Sequence, residues 1–330
     1  MKKILNRLTQ HETLTEKESR NIIIDISEGK LNTSEISSFL TIFMIRNITI
    51  EELNGFRKAL IELSLKINLN EFDPIDLCGT GGDEKDTFNI STLASFVTAG
   101  SGVKVAKHGN YGVSSSCGSS NVLEYLDLKF NNDSDKIRKA VDKANICFLH
   151  APLFHPAMKN VAPVRKELGL KTFFNMLGPM VNPSMPKKQV VGVYNLELAR
   201  IYNYLYQTTD INYNIIHSID GYDEISLTKG TKVYSRESEF ILESKDFNLK
   251  DIDSKNIIGG KDIESSSKIF MDVLNGEASN DQENVVCANA SLAIAISKDI
   301  SILEAFDKAK ESIKTKNALK CFNELVNIMK

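Results

Sequence analysis

The feature that most constrains the fold is a short apolar segment that runs into a glycine-rich turn and then into a helix. Ile75–Cys78 is apolar enough for a buried strand, and Gly79–Asp83 follows it without a break. Asn89–Thr92 then opens a helix that is predicted over 91–99. A strand that turns sharply into a helix is typical of the repeating unit of a parallel α/β sheet.

The segment before this turn has a different character, because it is predicted to be wholly helical. Thr15 with Glu18 and Thr49 with Glu52 form capping boxes, and Gly29 fits a helix stop. After the turn, strands alternate with helices. The further predicted strands cover 103–106, 146–149, 189–193 and 214–217, a hairpin or meander covers 229–243, short helices cover 122–126 and 161–168, and the last forty residues are helical. The pattern predicts a small helical N-terminal domain and a larger α/β domain with a largely parallel central sheet.

Composition excludes several classes of function. The formal net charge is -3 and Lys and Arg are spread along the chain, which argues against a nucleic-acid binder but allows a small anionic ligand. Asn6 and Arg7 interrupt the apolar N-terminus, and no stretch approaches the roughly 20 apolar residues of a membrane span. The five cysteines are far apart, as expected for reduced thiols. We therefore predict a cytoplasmic protein without membrane or nucleic-acid partners.

The strongest local signal for chemistry is the turn Gly79–Asp83. Glycines let backbone amides come close to a ligand, and the following helix N-terminus presents unpaired amides and a partial positive charge. Together these features favour a phosphate or pyrophosphate site. The spacing is neither that of a Walker loop nor that of a dinucleotide fold. A capped helix after a tight turn is the alternative interpretation.

A second polar loop, 107–119, follows the next predicted strand. It contains Lys107, several hydroxyl groups and three glycines. Loops at the carboxyl ends of successive parallel strands converge on one crevice, so the two loops together indicate a polyphosphate ligand. His108 in this loop is more typical of a hydrogen-bonding or packing residue than of a catalytic base.

Two further elements carry charge. Asp220, Asp223 and Glu224 lie within five residues, directly after a predicted strand, and such carboxylates suit Mg²⁺ that is completed by water and substrate phosphates. A solvated acidic turn is the alternative. Arg165 lies in a predicted short helix, where its guanidinium could grip a carboxylate in two places. A surface salt bridge with a nearby glutamate is the commoner fate of such an arginine.

Taken in order, these motifs closely resemble the anthranilate phosphoribosyltransferase family. The segments that carry the resemblance are 79–83, 89–92, 107–110, 113–115, 118–119, 155–158, 161–165, 174–179 and 220–224. The resemblance covers almost the whole chain. It implies a fold of the nucleoside phosphorylase and phosphoribosyltransferase type, with a helical domain over 1–71, joined by part of 162–185, and an α/β domain over 72–330. It also implies a homodimer assembled through the helical part.

The resemblance implies a reaction and a site. Phosphoribosyl pyrophosphate and anthranilate would give phosphoribosyl anthranilate and pyrophosphate, a step of tryptophan biosynthesis that uses Mg²⁺. Ser91, Asp223 and Glu224 would hold the metal, and Gly79, Asn110 and Arg165 would contact anthranilate. No general base is assigned, and His108 is a candidate for positioning substrate. The implied contacts of phosphoribosyl pyrophosphate are Gly79, Gly82, Asp83, Thr87, Asn89, Ile90, Ser91, Thr92, Lys107, Ser115 and Ser119.

The sequence departs from the family pattern in the second loop. Tyr111-Gly112 replaces an arginine and a small residue, and Ser116 and Asn121 replace a lysine and an aspartate. Two alternatives to the transferase remain: a pyrimidine nucleoside phosphorylase, which shares the architecture, and a non-catalytic relative that kept the pocket. The first does not need the Gly79–Asp83 and Asp220–Glu224 motifs, and the second would have lost a metal or substrate residue.

Overall fold

The computed structural model of the chain describes residues 1–112 and 117–330. The helices are α1 Lys2–Thr9, α2 Glu16–Ser27, α3 Thr33–Ile45, α4 Ile50–Leu63, α5 Ile90–Gly100, α6 Ser119–Tyr125, α7 Ser134–Ala144, α8 Ala151–Phe154, α9 Ala162–Leu168, α10 Phe173–Leu177, α11 Leu196–Gln207, α12 Ile263–Asn275, α13 Asn280–Lys298, α14 Ile302–Lys314 and α15 Asn317–Met329. The strands are β1 Ile75–Gly79, β2 Val105–Gly109, β3 Ile146–His150, β4 Lys188–Gly192, β5 Asn212–Ser218, β6 Thr231–Ser235 and β7 Glu239–Leu242. The chain forms two compact units, Met1–Lys66 with Ala151–Pro183 and Ile67–His150 with Ser184–Lys330.

Local signals set the helix boundaries of the first unit, the helical unit. The predicted capping boxes are confirmed, since Thr15 and Thr49 each accept the backbone N–H three residues on while that glutamate bonds back. Gly29, with φ at +72°, follows α2 in the left-handed conformation that glycine adopts most easily. Helix α3 then begins after Asn32, which caps it.

The core of the helical unit is aromatic. The rings of Phe39, Phe43, Phe56 and Phe173 form one cluster with centroid distances between 4.4 and 5.9 Å. All four side chains are buried, so α3, α4 and α10 share one apolar centre. The second segment of the unit, Ala151–Pro183, therefore contributes directly to the core that the N-terminal helices form.

The second unit, the α/β unit, is built on a seven-stranded sheet in the order β3-β2-β1-β4-β5-β6-β7. Strands β1 to β5 are parallel, and β6 and β7 form an antiparallel hairpin at one edge. The predicted largely parallel sheet and the 229–243 hairpin are confirmed. Strand β2 begins at Val105 rather than at residue 103, because pairing with β3 starts at Val105 opposite Ile146.

Helices cover the sheet of the α/β unit. Ala288, Leu292 and Ile294 on α13 are buried as predicted, whereas Ala295 is only half-buried. The amphipathic segment predicted over 306–329 is divided between α14 and α15, because Lys316 adopts a left-handed conformation between them. Among the described residues no single helix is long and apolar enough to cross a membrane, although α13 and α14 satisfy that test as a pair bent by 115°.

Candidate active site

The polar motifs lie at the carboxyl ends of the parallel strands. The glycine turn follows β1, the loop from Asn110 follows β2, and the acidic segment Asp220–Glu224 follows β5. Strand β1 is central, with β2 on one side and β4 on the other, and Gly79 pairs with Gly192 of β4. Because parallel strands end at the same edge, the sheet brings these segments together there.

The glycine turn contacts the acidic segment directly. Gly81 and Gly82 have φ values of +60° and +84°, which side-chain-bearing residues rarely adopt. The Gly81 N–H donates to Asp223 Oδ2 at 2.9 Å. A Cβ on Gly79 would lie only 2.7 Å from that same oxygen. The glycines therefore allow the Asp223 carboxylate to lie against the backbone of the turn.

The two carboxylates predicted to hold metal are both buried, with Asp223 7% and Glu224 8% exposed. Glu224 accepts a hydrogen bond from the Ser91 N–H at 3.0 Å and another from Thr87 Oγ1 at 3.2 Å. The N-terminus of α5 thus faces a carboxylate, as its partial positive charge favours. The structure brings together Ser91, Asp223 and Glu224, as the resemblance implied.

Burial disfavours the charged form of these carboxylates. Desolvation, with the nearby Asp83 charge as the next cause, raises the pKa of Asp223 to about 7. Desolvation also raises the pKa of Glu224 well above its ordinary value, and the charges of Asp223 and Asp83 add to it. Neither Asp223 nor Glu224 forms an ion pair with a side chain in the described part of the chain. A cation at this point would relieve the repulsion.

The donor set fits Mg²⁺ that is completed by a ligand. Hard carboxylate oxygens suit Mg²⁺, which commonly takes one or two of them with water and substrate phosphates. Within residues 1–112 and 117–330 no group of three or more His, Cys, Asp or Glu side chains is arranged to hold a metal by itself. The two carboxylates would therefore supply only part of a coordination sphere, and the rest would come from water and a phosphate-bearing substrate.

The other residues implied for the phosphate site surround this pair. Asp83 accepts from the Lys85 N–H at 3.2 Å and from the Asp223 N–H at 3.4 Å, which ties the glycine turn to the acidic segment. Asn89 immediately precedes α5 and donates to the Cys117 carbonyl at 3.1 Å. The Ile90 and Thr92 side chains are buried in the core, so any contact of Ile90 with phosphate would come from its backbone.

Lys107 and His108 lie towards the end of β2. In the sheet, β2 is on the opposite side of β1 from β4 and β5. Lys107 is buried, and its ammonium donates to the Leu77 carbonyl at 2.6 Å, which uses one of its three donors and is the only hydrogen bond it makes within residues 1–112 and 117–330. Burial lowers the pKa of Lys107, while the charge of Asp76 opposes this shift. His108 is also buried, and its backbone N–H donates to Asp76 Oδ1 at 3.1 Å.

Hydrogen bonds between side chains and backbone join the two described ends of the second loop at its base. Asn121 Oδ1 accepts from the N–H groups of both Gly112 and Gly118 at 3.0 Å each. Ser119 Oγ donates to the Asn110 carbonyl at 3.1 Å, so two residues implied for substrate contact bond to each other. The Asn121 departure therefore preserves a side-chain acceptor at this base. Ser115 and Ser116 lie outside the described residues.

The Tyr111 departure places an aromatic ring at the same loop base. Its ring meets the His150 ring edge-on, with centroids 4.9 Å apart. Its hydroxyl lies 3.3 and 3.4 Å from the two Glu124 carboxylate oxygens. Tyr111 thus packs at its ring and reaches a carboxylate at its hydroxyl.

Arg165 belongs to the helical unit, on α9. It donates to Asn175 Oδ1 at 3.1 Å and lies over the Phe174 ring at 5.5 Å from its centroid. Its buried Nε has no hydrogen-bond partner among the described residues, and the same residues supply no carboxylate that pairs with it. The salt bridge considered for Arg165 is therefore absent there, and the guanidinium keeps donors for a ligand.

Sequence reasoning missed three polar or glycine positions that contact this site. Asp76, in the middle of β1, accepts from His108 N–H and from Gln189 Nε2 at 3.2 Å. Gly192 ends β4 against Asp223, and Asn289 on α13 bonds the backbone beside Glu224. A glycine that ends a buried strand and an asparagine within an apolar helix are signals that could have drawn attention to them.

Comparison with known proteins places the chain and its fold in one class. The model of a glycosyl transferase family, a/b domain, matches residues 71–319, and the model of its helical bundle domain matches residues 2–64. The anthranilate phosphoribosyltransferase of Christiangramia forsetii is 60% identical over 325 residues, covering 98% of each chain. The chain belongs to the anthranilate phosphoribosyltransferase family, which confirms the family and the fold class predicted from the sequence.

Solved structures of this family share the fold over nearly the whole length. The anthranilate phosphoribosyltransferase of Saccharomyces cerevisiae, in complex with PRPP (phosphoribosyl pyrophosphate) and Mg, has a TM-score of 0.91 at 27% identity, covering 98% of this chain and 96% of that one. The same yeast enzyme in complex with 4-fluoroanthranilate has a TM-score of 0.88 at 26% identity, with the same coverage.

Proposed function

We propose that this protein transfers the phosphoribosyl group of phosphoribosyl pyrophosphate to the amine of anthranilate, in the presence of Mg²⁺. The products are N-(5-phosphoribosyl)anthranilate and pyrophosphate, and the reaction serves tryptophan biosynthesis. The observation that carries this proposal is the pair of buried carboxylates, Asp223 and Glu224, which lies against a glycine turn in a chain of this family. A metal–diphosphate ligand would supply the cation that no described side chain provides to these carboxylates.

The proposed phosphate contacts have the right chemistry on both sides of β1. Gly79, Gly82 and Asp83 belong to the glycine turn, Thr87 and Asn89 precede α5, and Ile90, Ser91 and Thr92 form its first turn. Lys107 offers a buried ammonium whose pKa is lowered by burial, so a bound anion would stabilise its charge. A metal–diphosphate ligand carries a cation that the Asp223 and Glu224 carboxylates can bind. It also carries an anion that the Lys107 ammonium can bind.

The reaction itself asks little of a general base. The amine nitrogen attacks the anomeric carbon with its lone pair, the C–O bond to pyrophosphate breaks, and the nitrogen releases a proton to water or to the leaving group. Mg²⁺, when bound to Asp223 and Glu224, would neutralise charge that develops on pyrophosphate. The backbone donors of the turn and Lys107 would stabilise the same charge. His108 is assigned to positioning, since its ring is buried.

The acceptor contacts are proposed from the motif match. Gly79 and Asn110 would contact anthranilate, and the guanidinium of Arg165 would bind its carboxylate. Arg165 has a buried Nε without a partner among the described residues, which is the state expected of a group that awaits an anion. A fork of two donors would fix the plane of the carboxylate and so aim the adjacent amine.

We further propose a cytoplasmic homodimer that assembles through the helical unit. Met44, Ile45 and Ile50 expose 38%, 78% and 40% of their surface, which leaves apolar groups at one end of α3 and at the start of α4. Sedimentation of the protein should give twice the chain mass, and Ile45→Glu should shift it towards the mass of one chain. A single-chain mass for the unaltered protein at micromolar concentration would contradict the dimer.

A coupled assay tests the proposed reaction. Anthranilate fluorescence should fall when protein, phosphoribosyl pyrophosphate and Mg²⁺ are mixed, with one pyrophosphate released for each anthranilate consumed. Excess chelator should stop both signals. The phosphorylase alternative is tested in parallel with thymidine, uridine and inorganic phosphate. Release of free base without loss of anthranilate would overturn the proposal, and absence of both reactions in folded protein would favour the non-catalytic relative.

A further inference from the structure

The acidic segment packs directly against a glycine at the end of strand β4. Gly192 ends β4, and a Cβ at this position would lie 1.5 Å from the Asp223 carbonyl oxygen and 2.7 Å from its carbonyl carbon. These are backbone atoms, so no side-chain rotation relieves the clash. The Gly192 carbonyl also accepts from the Thr80 N–H at 2.9 Å. One residue thus seats the acidic segment and anchors the start of the glycine turn.

The other side of the acidic segment is held by an amide on α13. Asn289 Oδ1 accepts from the Ile225 N–H at 2.9 Å, and Asn289 Nδ2 donates to the Ile225 carbonyl at 2.9 Å. Nδ2 also donates to the Val285 carbonyl at 2.8 Å, which fixes the amide on its own helix. Asn289 is only 4% exposed. This buried side-chain amide both donates to and accepts from the Ile225 backbone, and the pair of hydrogen bonds fixes the backbone next to Glu224.

We propose that Gly192 and Asn289 are positioning residues, which hold Asp223 and Glu224 where both carboxylates can bind a metal–diphosphate complex. Gly192 has no side chain, and the Asn289 amide bonds to the Ile225 backbone and to neither carboxylate, so each residue acts through the backbone of the acidic segment. Ser218 adds a third support, since its Oγ donates to the Glu224 carbonyl at 2.6 Å. The inference rests on the proposed function, in which Asp223 and Glu224 bind the metal.

The position of the supports explains why they matter. Asp223 and Glu224 are adjacent, so a shift of the backbone between Tyr222 and Ile225 moves both carboxylates at once. Repulsion between them, which burial strengthens, favours such a shift when no cation is bound. Backbone contacts on two sides resist it and keep the pair arranged in advance. Groups that orient metal ligands typically change metal affinity by about 10- to 100-fold when they are removed.

Metal binding without turnover tests the inference. Mn²⁺ is titrated into full-length protein with phosphoribosyl pyrophosphate and no acceptor, and free Mn²⁺ is read by electron paramagnetic resonance well below each variant's melting temperature. Asn289→Ala and Gly192→Ala should each weaken Mn²⁺ binding about 10- to 100-fold. If Gly192→Ala does not fold, Asn289→Ala and the milder Asn289→Ser decide the question.

Two matched controls separate positioning from general damage. Ser291→Ala removes a buried hydrogen bond on the same helix, from Ser291 Oγ to the Ala288 carbonyl, without touching the acidic segment. Gly100→Ala introduces a Cβ 2.2 Å from Ser312 Oγ and 2.5 Å from the Ala318 backbone nitrogen, which is a less severe clash away from the acidic segment. Both controls should lower the melting temperature and keep Mn²⁺ affinity within about twofold of the unaltered protein.

The double variant Asp223→Asn with Glu224→Gln distinguishes the possible failures. If it loses Mn²⁺ binding while folded Asn289 and Gly192 variants keep the affinity of the unaltered protein, the positioning inference is wrong and the metal assignment stands. If the controls weaken Mn²⁺ binding as much as the positioning variants do, the inference is also wrong. If the double variant itself keeps full Mn²⁺ affinity, the proposed metal site is wrong.

Discussion

The two units both bury carboxylates, but they compensate them differently. In the helical unit, Glu52 is fully buried and pairs with Arg46 through both of its oxygens. It also accepts backbone N–H groups from Leu14 and Thr49, at 2.9 Å each. In the α/β unit, Asp223 and Glu224 accept backbone and hydroxyl donors but no cationic side chain among the described residues.

The difference shows which buried charges are structural. Glu52 has its counter-charge within the chain, so the folded protein needs no ligand to compensate it. Burial raises the pKa of both Asp223 and Glu224; the charge of Asp83 adds to the shift of Asp223, and the charges of Asp223 and Asp83 add to the shift of Glu224. A folded protein keeps such an arrangement when a ligand supplies the missing charge. The comparison therefore separates a carboxylate that is paired within the fold from the two carboxylates that we propose to bind the metal.

The largest effect should come from neutralising the uncompensated pair. Asp223→Asn with Glu224→Gln should reduce turnover at least about 10³-fold, because a bound metal contributes several kcal/mol to stabilising the leaving group. The same change should not lower the melting temperature of metal-free protein, because neutral amides avoid the repulsion. Steady-state assays and calorimetric melting measure the two effects. Full activity of this variant in Mg²⁺ would refute the metal assignment.

Neutralising the compensated carboxylate should have the opposite pattern. Glu52→Gln leaves the mostly buried Arg46 without its partner, and breaking a buried pair typically costs about 3–5 kcal/mol. Denaturant unfolding should show that loss, while turnover per folded molecule stays unchanged. Glu62→Gln is the matched control, because its pair with Arg20 is exposed and worth about 0–1 kcal/mol. A stable Glu52→Gln variant with reduced turnover would contradict the distinction.

The sequence alone predicted those features of the two units that depend on residues close together in the chain. The capping box of Thr49 and Glu52 lies within three residues, and the strand that leads into Gly79–Asp83 is continuous in the chain. Both signals depend on neighbours, so they survive without knowledge of the tertiary structure. The family resemblance then indicated the metal and phosphate residues through the order of several such segments.

The non-local part could not be read in the same way. Nothing near Glu52 indicates that Leu14, 38 residues away, donates its N–H to it. Asn289 is 64 residues from Ile225, and only the packing of α13 against the sheet unit brings them together. Gly192 packs against the Asp223 backbone so closely that a Cβ would not fit, and that contact is not encoded by any short motif. Long-range backbone contacts of this kind require the three-dimensional structure.

Arg165 extends the comparison to a cation that has no carboxylate partner among the described residues, and a smaller effect is expected. Losing a charge-assisted pair typically costs about 1.5–3 kcal/mol, or roughly one to two decades in affinity. Arg165→Ala should raise the apparent KM for anthranilate by about that factor and leave the apparent KM for phosphoribosyl pyrophosphate nearly unchanged. Steady-state kinetics with each substrate varied separately provides the measurement.

Arg165→Lys serves as the conservative partner of that experiment. An ammonium keeps the charge but loses the two-donor fork, so it should recover only part of the anthranilate affinity. Asn175→Ala removes the acceptor that Arg165 bonds within the helical unit and should have a weaker effect of the same kind. An unchanged anthranilate constant in Arg165→Ala would refute the role assigned to the guanidinium.

The smallest effect is expected at Tyr111, where the contact to a carboxylate is exposed and long. The Tyr111 side chain lies at a surface position that is 39% exposed. Its hydroxyl is 3.3 Å from the nearer Glu124 oxygen, beyond the roughly 2.5–3.0 Å of a good O–H···O bond. Tyr111→Phe should therefore change stability by less than about 0.5 kcal/mol. Tyr111→Ala also removes the edge contact with His150, which is worth about 0.5–1.5 kcal/mol.

The same two variants test whether Tyr111 affects substrate binding. If only the ring matters, Tyr111→Phe should keep the apparent KM for phosphoribosyl pyrophosphate within about twofold of the unaltered protein, and Tyr111→Ala should raise that KM further. A tenfold rise in the phenylalanine variant would mean that the hydroxyl serves the substrate, in place of the arginine that the family commonly has there.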